Sequence, residues 1–314
     1  VLAVVGDDHA CKSSSYPYQS EHVFASMSVP VLAPANVQEI LDFGVLGWEL
    51  SRFSGCWVGL KTVTENIDTA MLAEIDPDRM AVVLPDVPMP EGGVHVRLPD
   101  NPLSQEQRLN EYKIYAAREF AFANKLNKVV IDAPNAKYGI VASGKSYLDV
   151  LQALEDLGIS ENVAKSLGLR VYKVGMPWPL EPKQTQQFAE GLESIIVIEE
   201  KRSVIEDQLK GQLFDMASAR RPTVFGEFDS KGNILLSNQG ELNSALVAQA
   251  IGRWLGELDA RLLIPSITER LNTIKQKQGD LIKPLNISGR APMYCSGCPH
   301  NTSTQVPEGS IAGG

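Results

Sequence analysis

Three stretches of this sequence bring together residue types able to do chemistry. In "YCSGCPH", Cys295 and Cys298 stand three apart with Gly297 between them. That spacing lets two thiolates converge on one soft metal centre, and the glycine permits the tight bend. No second C-x-x-C lies within reach, so a zinc knuckle would need His300 and a further group. The plain alternative is two free thiols in a surface tail. A redox dithiol fits less well, because that motif opens a helix inside a βαβ unit and this one follows a proline-bearing linker.

The second stretch, "GIVASGKS" from Gly139 to Ser146, matches the phosphate-loop pattern G-x-x-x-x-G-K-[ST] at every fixed position. A phosphate cradle needs unusual backbone angles between its glycines. Ile140, Val141 and Ala142 are instead what a buried strand wants, two of them β-branched and stiff. We expect a strand, a turn at Ser143-Gly144-Lys145, and a helix capped by Ser146 with Asp149 at its third position. A nucleotide-binding reading stays open beside it, since "SIIVIEE" downstream ends in Glu199 and Glu200 like a Walker B strand. The third stretch, "GDDHACKSSSYPYQSE", packs acids, hydroxyls, His9, Lys12, Gln19 and Glu21 directly after the apolar run Val1 to Val5. It reads as a loop at the end of a buried strand, and in α/β sheets such ends face the ligand.

The elements that must position these stretches follow from periodicity. "VPVLAP" reads as a short strand, and "NVQEILDFGVLGWELSRFSG" as a helix through Val37, Ile40, Leu41, Val45 and Trp48. From about Thr64 to Leu103 prolines and a Gly92-Gly93 pair give linker composition. A helix then runs through "LSQEQRLNEYKIYAAREFAFANKL", with Ser104 as expected N-cap and Gln107 at the capping-box position. Beyond it "KVVID", "YGIVASG", "LRVYKVG" and "SIIVIEE" alternate with helical patterns, one of them starting at Glu181-Pro182. Alternation of this kind predicts an α/β fold with a parallel sheet. Helices "SVIEDQLKGQLF" and "ELNSALVAQAIGRWLGELDARL" would cover its faces, and after Pro265 the chain turns polar.

The chain has 314 residues, 44% of them hydrophobic, enough for two or three domains. Its net charge of −9, from 38 acidic and 29 basic side chains, argues against nucleic acid or an anionic membrane as partner. No apolar run approaches the roughly 20 residues that span a bilayer, so a cytoplasmic location is expected. Four cysteines make no disulfide framework in a chain this long. The start at "VLAVVGDD" and the finish at "SIAGG" read as a fragment of something longer.

Six stretches in order resemble one known family: "GDDHACKSSSYPYQSEH", "NVQEILDFGVLGWELSRFSGCW", "GIVASGKSYLDVLQALEDLG", "YKVGMPWPLEP", "VIEEKRSVIEDQLK" and "YCSGCPHNTSTQVPEGS". The chain resembles the indolepyruvate ferredoxin oxidoreductases of the large fused bacterial type. That family belongs to the thiamine-diphosphate-dependent 2-oxoacid oxidoreductases. The resemblance implies oxidative decarboxylation of an aryl 2-oxoacid to an acyl-CoA, with electrons passing through iron–sulfur clusters to ferredoxin. It also implies a layout: residues 1–64 as the latter half of a pyrimidine-binding domain, 65–127 as a proline-rich linker and connecting helix, 128–258 as a transketolase C-terminal-like domain, and 259–314 as a linker and the start of a diphosphate-binding domain.

On this resemblance Cys295 and Cys298 match a C-x-G-C motif that supplies two ligands of a [4Fe-4S] cluster, with the others beyond Gly314. His300 and Asn301 would approach the cofactor or simply form a turn and helix cap. Asp8, Ser13, Ser14, Gln19 and Glu21 are the candidate edge of a pocket for the pyrimidine ring or the 2-oxoacid carboxylate. Their plain reading is that Asp and Ser in such loops satisfy backbone groups. Arg52 and His22 read equally as carboxylate binders or surface residues, and Cys11 and Cys56 as buried thiols. The catalytic glutamate and the Mg²⁺ motif would lie outside the chain, which alone should be inactive. The expected partners are the rest of its polypeptide or a sister subunit, ferredoxin, coenzyme A as co-substrate and a second copy of the chain in a homodimer. A phosphate-loop protein and a non-catalytic assembly domain are the competing classes.

Overall fold

The computed structural model describes residues 1–76, 79–281 and 294–310. Two sheets organise them. The first is three parallel strands in the order β1-β3-β2, with β1 at Leu2–Asp7, β2 at Val31–Leu32 and β3 at Val58–Val63. Helices α1 (Glu21–Ser26) and α2 (Val37–Ser54) form its crossovers, and a single turn α3 (Thr64–Ile67) follows β3. Next come α4 (Pro102–Arg108), a π turn at Leu109–Lys113 and α5 (Ile114–Ala123).

The second sheet has the order β4-β6-β5-β7-β8. Its strands are β4 (Lys128–Ile131), β5 (Tyr138–Ser143), β6 (Leu169–Val174), β7 (Ser194–Ile198) and β8 (Thr223–Phe225). Between them run α6 (Gly144–Asp156), α7 (Glu161–Leu167), α8 (Pro182–Ala189) and α9 (Ile205–Leu213). The helices α10 (Ser244–Leu258), α11 (Pro265–Leu281) and α12 (His300–Ser303) follow. All pairings in this sheet are parallel except that of β4, which lies antiparallel to β6 at the edge. The expected α/β fold is borne out, with that one edge strand reversed.

The central strands show why their sequences are continuously apolar. Ile140 and Ala142 of β5 face α6 and α10, while Val141 between them faces the core under α8 and α9. β7 alternates in the same way, Ile196 and Ile198 one way, Ile195 and Val197 the other. On one side Trp254 of α10 is wholly buried and donates its indole N–H to Ser194 Oγ at 2.9 Å. On the other Tyr172 stacks on Phe188 with ring centroids 4.7 Å apart. A third core joins α2 and α5 to the first sheet through Phe43, Leu46, Leu50, Leu60 and Phe120.

Several local expectations change. The helix at 37–54 is present, but Leu41, Val45 and Trp48 of its proposed apolar stripe are exposed, and the buried face is Phe43, Leu46, Gly47 and Leu50. Two interleaved stripes in that segment both satisfy the helical period, and contact with the sheet decides which turns inward. Asn101, not Ser104, caps α4: its carboxamide accepts from Leu103 N at 2.9 Å, and Pro102 takes the first helical position, where no N–H is needed. Ser146 does not cap α6 either. The helix begins at Gly144, whose φ of +52° favours glycine, and Ser143 is the N-cap residue without a side-chain bond. Glu181 does cap α8, accepting from Lys183 N and Gln184 N. The polar segment after Pro265 forms α11, whose Ile267 and Leu271 pack on α10.

The two sheets meet closely. Ala33 N donates to Gly175 O at 2.9 Å, and Val31 N to Trp178 O at 2.7 Å, so the strand end of β2 and the segment after β6 are laced together. Gly175 and Met176 in turn donate to the Asn127 carboxamide. No helix among the described residues is long and apolar enough to cross a membrane.

Candidate functional site

Carboxyl ends of β1, β3, β5 and β7 converge on the seam between the sheets. Parallel sheets present their ligand face at such ends. Here they enclose a cavity of about 40 Å³ whose walls include His9, Glu21, Lys61, Lys145, Glu199 and Glu200. Strand ends carry much of this charge, while Glu21 opens α1 and Lys145 lies in the first turn of α6. Asp7 closes β1, Lys61 sits near the end of β3, Ser143 closes β5, and the two glutamates follow β7.

The wall is a continuous charged network. Lys61 Nζ lies 2.5 Å from Glu21 Oε1 and 3.3 Å from Asp7 Oδ2, with all three side chains almost wholly buried. His9 bridges the sheets, Nε2 at 3.8 Å from Asp7 and Nδ1 at 3.9 Å from Glu200, distances longer than hydrogen bonds. Glu200 accepts from Leu242 N at 3.0 Å and stands 3.4 Å from Lys145 Nζ. Lys145 also holds Asp149 at 2.8 Å and Leu242 O at 2.5 Å. Burial pushes the Asp7 carboxyl up, but His9, the Lys61 ammonium and the Ser20 N–H outweigh it and hold it at about 2. Burial alone would neutralise Lys61, and the carboxylates of Glu21 and Asp7 reverse that and raise its pKa. Asp7 Oδ1, His9 Nε2, Glu21 Oε2 and Ser143 Oγ are buried and unpartnered. Groups of that kind want a polar ligand or water.

Glu199 differs from its neighbour. Its carboxylate caps α9, accepting from Val204, Ile205 and Glu206 N–H at 3.1, 2.9 and 3.0 Å. Burial nonetheless pushes it up to about 7, against those bonds. A carboxyl raised in the folded state contributes stability fully below its ordinary 4.5, and that contribution is lost as pH rises through 7. Between those limits the loss is at most about 3 kcal/mol. Glu199→Gln should therefore gain on the wild type as pH rises from 5 to 8, read as the difference in urea midpoints. A difference independent of pH in that window would rule the assignment out.

The loop candidates separate by position. Asp8 is consumed by its own loop, accepting from Lys12 N, Ser13 N and Ser14 N at 2.8, 2.8 and 2.9 Å, which hold its carboxyl well below the usual range. Ser13 and Ser14 belong to that turn and do not line the cavity. Gln19 and Glu21 do line it, and Gln19 clamps the sheets by bonding Glu200 O, Arg202 O and Arg202 N. Arg52 is exposed and pairs with Glu49 at 3.6 Å. Cys56 is buried, while Cys11 is half-buried and donates to Ser14 O. Lys61 was not singled out by sequence reasoning. Its signal was a lone charge in the otherwise apolar and hydroxylic "VGLKTV".

The "GIVASGKS" residues form no cradle. Tyr138 to Ala142 pair with both β6 and β7, and Lys145 spends its ammonium on Asp149, Glu200 and Leu242 O. At Gly139 an added Cβ would meet Leu192 and Phe188 at 2.7 Å, so this glycine serves packing.

In the tail, Gly297 at φ +80° turns the chain so that Cys298 N donates to Cys295 O at 3.0 Å. Cys298 Sγ lies 3.2 Å from His300 Nδ1, and the His300 ring stacks on Tyr294. Asn301 donates to Cys295 O at 3.1 Å. Among the described residues no group of three or more His, Cys, Asp or Glu could hold a metal ion. Two thiols make half of a cluster's usual ligand set. Residues 290–293, where the expected diphosphate-binding segment opens, lie outside the described residues.

Residues 128–279 match the family model for the indolepyruvate oxidoreductase domain. Over that segment, just under half of its length, the chain is similar to the indolepyruvate oxidoreductase family. It is 27% identical over 315 residues to indolepyruvate oxidoreductase subunit IorA of Pyrococcus abyssi, and 26% identical over 317 to that of Methanothermobacter thermautotrophicus. Each alignment covers 96% of this chain and 43% of the relative, so the chain spans less than half the length of the curated relatives it matches. Among solved structures, 2-oxoglutarate:ferredoxin oxidoreductase from Magnetococcus marinus is 14% identical at a TM-score of 0.48, covering 80% of this chain and 48% of that one. A split-gene transketolase scores 0.44 at 11% identity, covering 80% of this chain and 65% of its own. Measured against the expected thiamine diphosphate, the cavity's polar lining would suit a ring edge, but 40 Å³ is room for water and not for an aminopyrimidine. The residues as arranged do not fit that group.

Proposed function

We propose that this chain is part of an enzyme that oxidatively decarboxylates indolepyruvate to the acyl-CoA and passes the electrons through iron–sulfur clusters to ferredoxin, and that it is inactive alone. The observation that carries this reading is the collinear match to the indolepyruvate oxidoreductase subunits over 96% of the chain. Thiamine diphosphate with Mg²⁺ and coenzyme A belong to the proposal as cofactor and co-substrate. Because the cavity does not admit the ring, no step is routed through it.

The proposed role of residues 1–64 and 128–258 is to build a rigid, charged seam between a pyrimidine-binding half-domain and a transketolase-like domain, with 65–127 as connection. Gln19 and Glu21 stand at that seam and Asp8, Ser13 and Ser14 shape the loop carrying them. Cys295 and Cys298 would supply two sulfur ligands of a [4Fe-4S] cluster, with His300 beside them. The remaining ligands and the catalytic glutamate would come from the rest of the polypeptide or a sister subunit in a cytoplasmic homodimer.

The test uses the full-length protein. Cys295→Ser should remove iron and the brown absorbance while leaving the protein folded, and should abolish indolepyruvate- and CoA-dependent dye reduction. Unchanged iron content would overturn the cluster assignment. Absence of indolepyruvate- and CoA-dependent reduction in the wild type would overturn the function.

A further inference from the structure

Beside the charged cavity, and sharing Gln19 with it, lies a groove of about 600 Å³ whose walls include Tyr16, Tyr18, Lys201, Arg202 and Gln239. Its volume is that of a small-molecule site. Tyr16 is 79% exposed, a large aromatic surface left in water on one wall. Tyr18 is held by its hydroxyl, which donates to Gly6 O, so its ring is fixed against the other residues of the loop.

The same lining carries two cations. Lys201 and Arg202 make no ion pair or side-chain hydrogen bond among the described residues. The acids nearest in sequence are already engaged: Glu200 by Lys145 and Leu242 N, and Glu241 by Lys12 at 2.8 Å. The groove therefore keeps positive charge on a chain whose net charge is −9. The backbone that presents this charge is held from outside. Gln19 bonds Glu200 O at 3.3 Å, Arg202 O at 3.1 Å and Arg202 N at 3.2 Å. Between those anchors Lys201 adopts φ +59°, a left-handed conformation that a lysine has no intrinsic reason to take. Strain of this kind persists where surrounding structure imposes it, and it collects at ligand sites.

From this juxtaposition we propose that the groove binds the carboxylate of an aryl acid, the Arg202 guanidinium and Lys201 ammonium taking the anion and the two tyrosines taking the ring. A planar guanidinium fork matches a carboxylate bidentately, and tyrosine faces and edges suit a flat apolar ring. The identity of the acid as the 2-oxoacid substrate rests on the function proposed above. The groove would gather the substrate next to the seam.

The probe is indole-3-acetate, an aryl carboxylate without a reacting 2-oxo group, titrated into the intact 314-residue chain by calorimetry and by NMR. Saturable binding is expected, with Kd on the order of 1 mM. Arg202→Gln should weaken it at least tenfold, the loss of a bidentate charge-assisted contact. Lys201→Gly should weaken it similarly while holding or raising the thermal midpoint, because glycine relieves the strained φ. A purely structural Lys201 would not give that split.

Indole-3-acetamide, which lacks the charge, should bind at least tenfold more weakly, on the same reasoning. Equal binding of the acetamide, or unchanged affinity in both variants, would overturn the proposal. So would tighter binding of adenosine monophosphate than of indole-3-acetate, which would make the groove a phosphate site. The two readings fail separately: binding here in a chain whose full-length form lacks turnover sinks the function alone, and turnover unaffected by Arg202→Gln with no groove binding sinks the groove alone.

Discussion

Lys61→Met should destabilise the chain by about 3–5 kcal/mol, the range for removing one partner of a buried ion pair. Lys61 lies in a strand of which every residue is buried, and it serves two carboxylates, Glu21 at 2.5 Å and Asp7 at 3.3 Å. Methionine fills the same volume without the charge. The loss is thus electrostatic, two buried acids left facing each other and a histidine. Asp7 gives the effect a pH signature. Its carboxyl, held at about 2 against an ordinary 3.8, contributes stability that is present above 3.8 and lost as pH falls through 2. Without Lys61 part of that contribution disappears, so the variant's deficit should be largest at neutral pH and shrink on acidification. Adding Asp7→Asn and Glu21→Gln should recover most of the lost stability, since removing a buried charge set entirely is far milder than breaking it. Urea midpoints for the single and triple variants check this. A single variant within 1 kcal/mol of wild type, as at an exposed pair, would show that the network is solvated.

How far the sequence reveals these features depends on whether the cause is local. β5 and β7 could be read from "GIVAS" and "SIIVI" because a strand buried on both faces is apolar at every position, and both cores use that alternation. The false phosphate loop could be declined on the same grounds. The cap at Glu181-Pro182 was legible because cap and N1 proline are neighbours. By contrast, α2 carries two apolar stripes, and nothing within it says that Phe43 and Leu50 turn inward while Val45 and Trp48 stay in water. The role of Lys61 is hidden for a related reason, although its lone charge in "VGLKTV" is plain. Its partner Glu21 is 40 residues away, so no window shows that the charge is satisfied. Likewise, Asp8 and Glu21 look alike in the loop, yet three backbone N–H groups consume one and the cavity leaves an oxygen of the other free.

Gly175→Ala should be comparably damaging for a steric reason, at about 3 kcal/mol, the upper part of the overpacking range. An ideal Cβ at this position would lie 2.3 Å from Leu126 O and 2.9 Å from the Phe43 ring. The first contact is with backbone that cannot swing away, because Leu126 N is bonded to Ala121 O at the end of α5 and Asn127 next to it holds both Gly175 N and Met176 N. Nor can Gly175 retreat, because its carbonyl accepts from Ala33 N across the seam. Three pieces of structure therefore meet at this one residue: the end of β6, the end of α5, and the segment joining β2 to α2. The methyl must push the end of β6 away from Leu126 and Phe43, and any shift of Gly175 strains its carbonyl's bond to Ala33, itself a wall of the cavity. Loss of stability should thus come with loss of the seam's geometry, read as faster amide exchange at Ala33 and Val31 while β5 and β7 keep their protection. Gly139→Ala offers the contrast, since its clashes are with the side chains of Leu192 and Phe188 inside the second sheet's core. It should lower stability without opening the seam. If both variants exchange alike, the seam is not an independent unit, and the charged site owes its shape to the whole fold instead of to the junction at Gly175.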